Sequence, residues 1–146
     1  MSKRTKGFTL IELLVVIAII GILSSIVLAS LNTARGKGND AKVKAQLSGL
    51  RASAEVYYDS NSHYGTEASD ACSGDFFADT ASGISQYTDQ ANYPAGATLS
   101  CHTDGTAFAV SALLEAGVAG EAWCVDSTGA SENISDNLAD GEVFCQ

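Results

Sequence analysis

The chain has 146 residues and a formal net charge of −9, a length that suits one compact domain plus a separate N-terminal segment. All eight Lys and Arg lie at or before Arg51, whereas 15 of the 17 Asp and Glu lie after it. An acidic stretch without a single Lys or Arg argues against a nucleic-acid grip there, because displacing counterions from phosphates needs cations; the carboxylates favour solubility instead.

Residues 1–7 read MSKRTKG, short, basic and polar. Residues 8–31 follow as FTLIELLVVIAIIGILSSIVLASL, 24 residues with one charge. As a helix this run spans roughly 36 Å, enough for the hydrocarbon core of a bilayer. Lys3, Arg4 and Lys6 hold the N-terminus on the cytoplasmic side, which delivers the remainder to the outer face. Two plainer readings compete: a secretory signal cut after Ala29, and a simple membrane anchor. The apolar run is longer than the usual signal segment, and neither reading explains Glu12. A carboxylate in a membrane helix costs a few kcal/mol and is by default a functional hypothesis. Nothing on its own helix neutralises it once a basic leader is gone, so a positive partner must come from elsewhere. The free α-amino group of a neighbouring subunit would serve.

The string Gly7-Phe8-Thr9-Leu10-Ile11-Glu12, preceded by Lys6 and followed by the apolar run, resembles the class III signal of type IV prepilins and type II secretion pseudopilins. The resemblance implies removal of residues 1–7 as a leader, by cleavage between Gly7 and Phe8 by a membrane-bound prepilin peptidase, and N-methylation of Phe8 by the same enzyme. It also implies that Glu12 pairs with the N-terminal amine of an adjacent subunit and sets the axial register of a filament. Many members of the family carry a proline about two-thirds along this helix; here the neighbourhood is Val27-Leu28-Ala29-Ser30, and Gly21 with Ser24-Ser25 are the weak points.

Residues 32–40 turn polar and include Gly36 and Gly38, each weakening a helix by roughly 1 kcal/mol relative to Ala, which predicts a joint. The helical pattern then resumes over 41–60, with Val43, Leu47, Leu50, Ala54 and Tyr57 forming one apolar stripe that packs on a sheet. Residues 8–60 are thus expected as one long, interrupted helix, its outer half hydrophobic and protruding. An unpartnered apolar helix is unstable in water, so it belongs in membrane or among copies of itself.

Residues 61–146 are expected to form an acidic globular head. Strands are predicted at 106–114, 121–126 and 142–145, more weakly at 97–101; 65–96 reads as an irregular loop with a short helix near Phe76-Phe77. The sum is an α+β pilin-like fold, the helix stripe on a small antiparallel sheet. Cys72, Cys101, Cys124 and Cys145 form an even set without zinc-site spacing, which suggests two disulfides once the chain leaves the cytoplasm. Four cysteines permit three pairings; the sequential one is favoured, and Cys124–Cys145 would close a C-terminal loop similar to a common pilin arrangement. Carboxylates crowd that loop, and some pseudopilins bind calcium in a comparable one, so Asp136, Asp140 and Glu142 are the candidate calcium ligands against the plainer reading of a solvated acidic loop.

No G-x-S-x-G, H-E-x-x-H, Walker or dinucleotide motif is present, and His63 and His102 read as exposed turn residues, so neither an enzyme nor a cofactor is expected. The functional expectation is a pilin polymerising into an extracellular type IV pilus-like filament for adhesion, motility or surface contact. The alternative is a pseudopilin of a type II secretion system; a secreted or anchored binding module with an ordinary signal peptide stands third. Expected partners are copies of the chain through their N-terminal helices, the prepilin peptidase and N-methylase, and the inner-membrane assembly platform. The chain is expected in the cytoplasmic membrane before assembly and at the cell surface after it.

Overall fold

The computed structural model describes residues 7–69 and 71–146; the basic residues Lys3, Arg4 and Lys6, expected to belong to a leader, lie outside them. The chain divides between Arg35 and Gly36 into two units, treated separately below, although one helix, α1 (Leu10–Asn61), supplies residues to both. The first unit is the apolar part of α1, exposed throughout.

The second unit is the head. Its sheet has five antiparallel strands in sequential order: β1 (Tyr64–Ser69), β2 (Leu99–Gly105), β3 (Phe108–Leu113), β4 (Ala122–Asp126) and β5 (Ser131–Ile134). Between β1 and β2 lie two four-residue helices, α2 (Gly74–Phe77) and α3 (Ser85–Thr88). Helix α1 packs on one face of the sheet through Val43, Leu47, Leu50, Ala54 and Tyr57, all buried, because spacings of three and four place them on one side of the helix. They meet Phe76, Phe77, Ile84, Tyr93, Phe108, Val110 and Val125. The aromatic rings interlock at favourable edge or tilted angles: Phe76 lies 5.1 Å from Tyr57 and 5.5 Å from Phe108, and Tyr64 lies 4.9 Å from Phe108. Tyr57 is core, while its neighbour Tyr58 covers the edge against Tyr64 at 4.7 Å.

The other sheet face carries a second, smaller core of Ala109, Ala122, Cys124, Ile134 and Leu138. The chain beyond β5 lies across it, held by the amide of Leu138 donating to Ser111 Oγ (3.0 Å) and by the Asn137 side-chain amide donating to the Thr98 carbonyl (2.9 Å). The head is therefore helix, sheet and C-terminal strap.

Several details depart from the sequence expectation. The segment 65–96 is not wholly irregular, since β1 occupies its start, and no strand forms at 142–145. The terminal ladder is instead β5, a polar tetrapeptide that forms because its turn is fixed. Asp126 Oδ1 accepts from the amides of Thr128 (2.9 Å) and Ala130 (3.1 Å), and Gly129 takes φ 96°, which glycine tolerates best. Cys145 is bonded to Cys124 on β4, both of whose edges are already paired, with β3 and β5, so the terminal segment finds no free edge there. Nor is α1 broken at its glycines. Gly36 is buried, and a Cβ there would come within 3.1 Å of the Ala116 Cβ, so the glycine permits close approach of the β3–β4 loop. Asp40 completes the clasp, its carboxylate accepting from the amides of Glu115 (2.7 Å) and Ala116.

Candidate functional site at the start of the helix

Helix α1 begins at Leu10, with Gly7, Phe8 and Thr9 outside its hydrogen-bonded turns. Thr9 is its cap. The Glu12 amide donates to Thr9 Oγ1 (3.3 Å), and the Glu12 carboxylate accepts from the Thr9 amide (2.8 Å) and the Thr9 hydroxyl (2.7 Å). This reciprocal pairing is a capping box, in which two otherwise unsatisfied donors at a helix start are satisfied by each other's side chains. A carboxylate in a first helical turn is also favoured by the positive end of the helix dipole. The signal is present in the sequence as Thr9-x-x-Glu12, beside the membrane cost and the motif that both single out Glu12.

Around this polar corner the surface is apolar. Phe8 is 81 % exposed, and Leu10, Ile11, Leu13, Ile17, Ile20 and Leu23 are each more than half exposed. Among the described residues one helix, α1, is long and apolar enough to cross a membrane, with a mean hydropathy of 2.8 over its most apolar window and none of that window buried. Such a surface costs roughly 25 cal/mol for every Å² left in water. What the site offers is thus one anionic group, held by its own helix cap, at one end of an unburied apolar rod.

The remaining sequence candidates lie in the head. Cys72 is bonded to Cys101 and Cys124 to Cys145, with Cα separations of 4.9 and 5.7 Å, and no cysteine is free. The first bond fastens the segment before α2 to β2. The second fastens the strap to β4. Loops of this length contribute about 3–4 kcal/mol each on the chain-entropy model.

Asp136, Asp140 and Glu142 are not brought together: among the described residues no group of three His, Cys, Asp or Glu could hold a metal ion. Glu142 accepts from the Ala139 amide (2.8 Å), and Asp136 from the Asn137 amide (2.8 Å), both ordinary loop contacts. His102, expected at the surface, is instead buried on β2 beneath the strap, its Nε2 2.7 Å from Ser100 Oγ. The strap shelters what sequence position alone leaves exposed. His63 is half-buried beside Tyr57, and its Nδ1 accepts from the Gly65 amide.

The residue that sequence reading missed is Asp126. It is buried, and its Oδ2 accepts from the Cys145 amide (2.9 Å) while Oδ1 holds the β4–β5 turn. Burial works against its ionisation, but the Thr128 hydroxyl and the amides of Cys145, Ala130 and Thr128 outweigh it and hold the carboxyl below its usual range. Asp126 thereby locks strap, turn and disulfide together.

A capped, exposed apolar helix and a helix-on-sheet head with two disulfides make up an α+β, pilin-like fold. Residues 2–28 match the family model described as the prokaryotic N-terminal methylation motif. The chain is 45 % identical over 62 residues to the type IV wide pilus major component PilA4 of Thermus thermophilus, covering 42 % of this chain and 47 % of that protein. It is 36 % identical over 66 residues to type II secretion system core protein G of Dickeya chrysanthemi, covering 45 % of this chain and 43 % of that one. With the type IV major pilin protein PilA of Myxococcus xanthus it shares 32 % over 63 residues, 43 % of this chain and 29 % of that protein. The matched region thus spans less than half the length of each of these curated relatives. No solved structure matches the chain.

Proposed function

We propose that this chain is a structural subunit, not an enzyme, that is cut between Gly7 and Phe8, N-methylated on Phe8 and polymerised through its apolar helix into a type IV pilus-like surface filament. The observation that carries the proposal is Glu12, an anion at the start of an exposed apolar helix, within a methylation motif that spans residues 2–28. Once the chain begins at Phe8, a new α-amine lies one turn from Glu12, and the neighbouring copy's amine can replace the Thr9 hydroxyl as its partner. A charged pair in a low-dielectric filament core is strong and geometrically exacting, which suits a device for setting register. The apolar helix holds the subunit in the cytoplasmic membrane until assembly, where the peptidase and the assembly platform act on it.

The likeness to core protein G supports a second reading, a pseudopilin of a type II secretion system. The two disulfides are compatible with either reading, because the periplasm and the cell exterior both let disulfides persist. Intact mass and N-terminal sequence of unreduced protein sheared from the cell surface test the proposal. A chain starting at N-methylated Phe8, lighter by four hydrogens, supports it. A chain starting at Ser30 would overturn it, and loss of protein export without surface filaments on deleting the gene would transfer the chain to the second reading.

A further inference from the structure

Within the head, the side of α1 turned away from the sheet carries Lys37, Lys42, Glu55 and Asp59, all exposed. At 3.6 residues per turn Lys42 falls on one edge of that side. Lys37 and Glu55, about five turns apart, share the other edge, and Asp59 follows Glu55 one turn on. Among the described residues neither lysine forms an ion pair, and Glu55 accepts from the neutral Tyr64 hydroxyl (3.1 Å). The remaining cations of this stretch are engaged inside the chain: Lys44 lies 4.2 Å above the Trp123 ring, and Arg51 donates to the Gly129 carbonyl (2.7 Å) and Ser131 Oγ (3.0 Å).

The exposed side of this stretch is therefore basic at its start and acidic at its end. Between the charges it is small and uncharged, with Ala41, Ala45, Ser48 and Ala52 all exposed, so another helix can come close. Parallel helices grouped about a common axis meet edge to opposite edge, which turns the Lys42 edge of one copy to the Glu55 edge of the next. In register, Lys42 would face the neighbour's Lys37, about 7.5 Å along the helix, and like charges set together are costly. A displacement of about 20 Å brings Lys42 level with Glu55, and one of about 26 Å with Asp59.

We propose that α1 of one copy lies alongside α1 of a second, displaced along the helix by about 20–26 Å, so that Lys42 of the one meets Glu55 and Asp59 of the other. The proposal rests on the polymerising reading above and adds the charges that fix the stagger of the heads. The Glu12 pairing implies a step of only four residues, about 6 Å, so the copy that Lys42 meets lies roughly three or four such steps along the filament. A single exposed ion pair is weak, but a displaced contact is heterologous and recurs at every subunit. The stagger is selected twice over, by attraction when the copies are displaced and by repulsion when they are not.

Carbodiimide treatment of filaments formed by the unmodified chain tests the contact, because it joins amines to carboxylates already adjacent. Lys42 and Glu55 stand about 20 Å apart on one helix, beyond the reach of their own side chains, so a bond between them must join two copies. The excised covalent dimer should contain Lys42 joined to Glu55 or Asp59. Filaments in which Lys42 is joined to other carboxylates only, or to none, would overturn the stagger while leaving the polymer reading intact. No filament at all would sink the polymer reading and the contact with it. As a second arm, Lys42→Glu separates the two arrangements, since it sets like charges together in the displaced one and opposite charges together, against Lys37, in the one in register. Filament yield should fall about tenfold. An unchanged or increased yield would refute the proposal.

Discussion

Asp126→Asn tests the account of what secures the C-terminal strap. The carboxylate accepts from the amides of Thr128, Ala130 and Cys145 and from the Thr128 hydroxyl. Asparagine keeps one of the two oxygens. If that oxygen serves the turn, the new NH₂ meets the Cys145 N–H, donor against donor, inside the protein. Losing one charge-assisted bond and leaving buried donors unsatisfied costs about 3 kcal/mol in all. For a head running from Gly36 to Gln146, the usual unfolding entropy per residue converts this into a fall in Tm of about 13 °C. Trp123, the only tryptophan, sits half-buried on β4, so its fluorescence during heating of the full chain in detergent follows the head without interference from α1. The acid limb should change as well. A folded carboxyl held below its usual range contributes stability above the unfolded pKa of about 3.8, and that stability is lost as the pH falls through the lower folded value. Asp126→Asn should flatten that loss. A variant melting within about 3 °C of the parent, well inside the predicted shift, would show that the disulfide alone holds the strap and that the hydrogen-bond reasoning is wrong.

Glu12→Gln keeps an acceptor for the Thr9 amide, so α1 should retain its cap by circular dichroism, yet filament yield should collapse, because the proposed pairing needs the charge; normal yield would make Glu12 a cap and no more. Asp40→Ala should speed hydrogen exchange at the amides of Glu115 and Ala116 while lowering Tm by only a few degrees, about 1 kcal/mol for exposed caps; unchanged exchange would refute the clasp. Removing the Cys124–Cys145 bond by double serine substitution should cost about 3 kcal/mol on the loop-closure model, measured by urea melts followed at Trp123. At high pH, burial, the hydrogen bond to Glu55 and the nearby charge push the Tyr64 phenol up to about 12. A raised folded value contributes stability below pH 10 that is lost as the pH rises towards 12, and Tyr64→Phe should shallow that alkaline decline.

What the sequence disclosed and what it hid divide along physical lines. The α1 stripe was legible because burial repeats at helical spacing, and β3 and β4 because their apolar runs are long enough to stand out. The missed β1 and β5 fail for one reason: a short polar strand is made by its neighbours, here by the turn fixed at Asp126 and by pairing with Gly105 and Thr103. Gly36 looks like a weak point when helix propensity is considered alone, and becomes a contact once Ala116 lies against it. His102 and Asp126 are polar letters in a polar stretch; only the strap, placed by a disulfide to β4, makes them interior. At the helix start, Thr9 and Glu12 carried the capping signature openly.

That cap also marks a boundary. A helix permitted to run on toward the N-terminus would wind the Gly7–Phe8 peptide into its first turn, where an enzyme would have to unwind it before reaching the bond. By ending the hydrogen-bonded turns at Thr9, the carboxylate that is proposed to find a partner in the polymer first keeps the proposed cutting point unwound. One side chain would then serve two stages in succession, and the order is enforced because its amine partner does not exist until the cut is made.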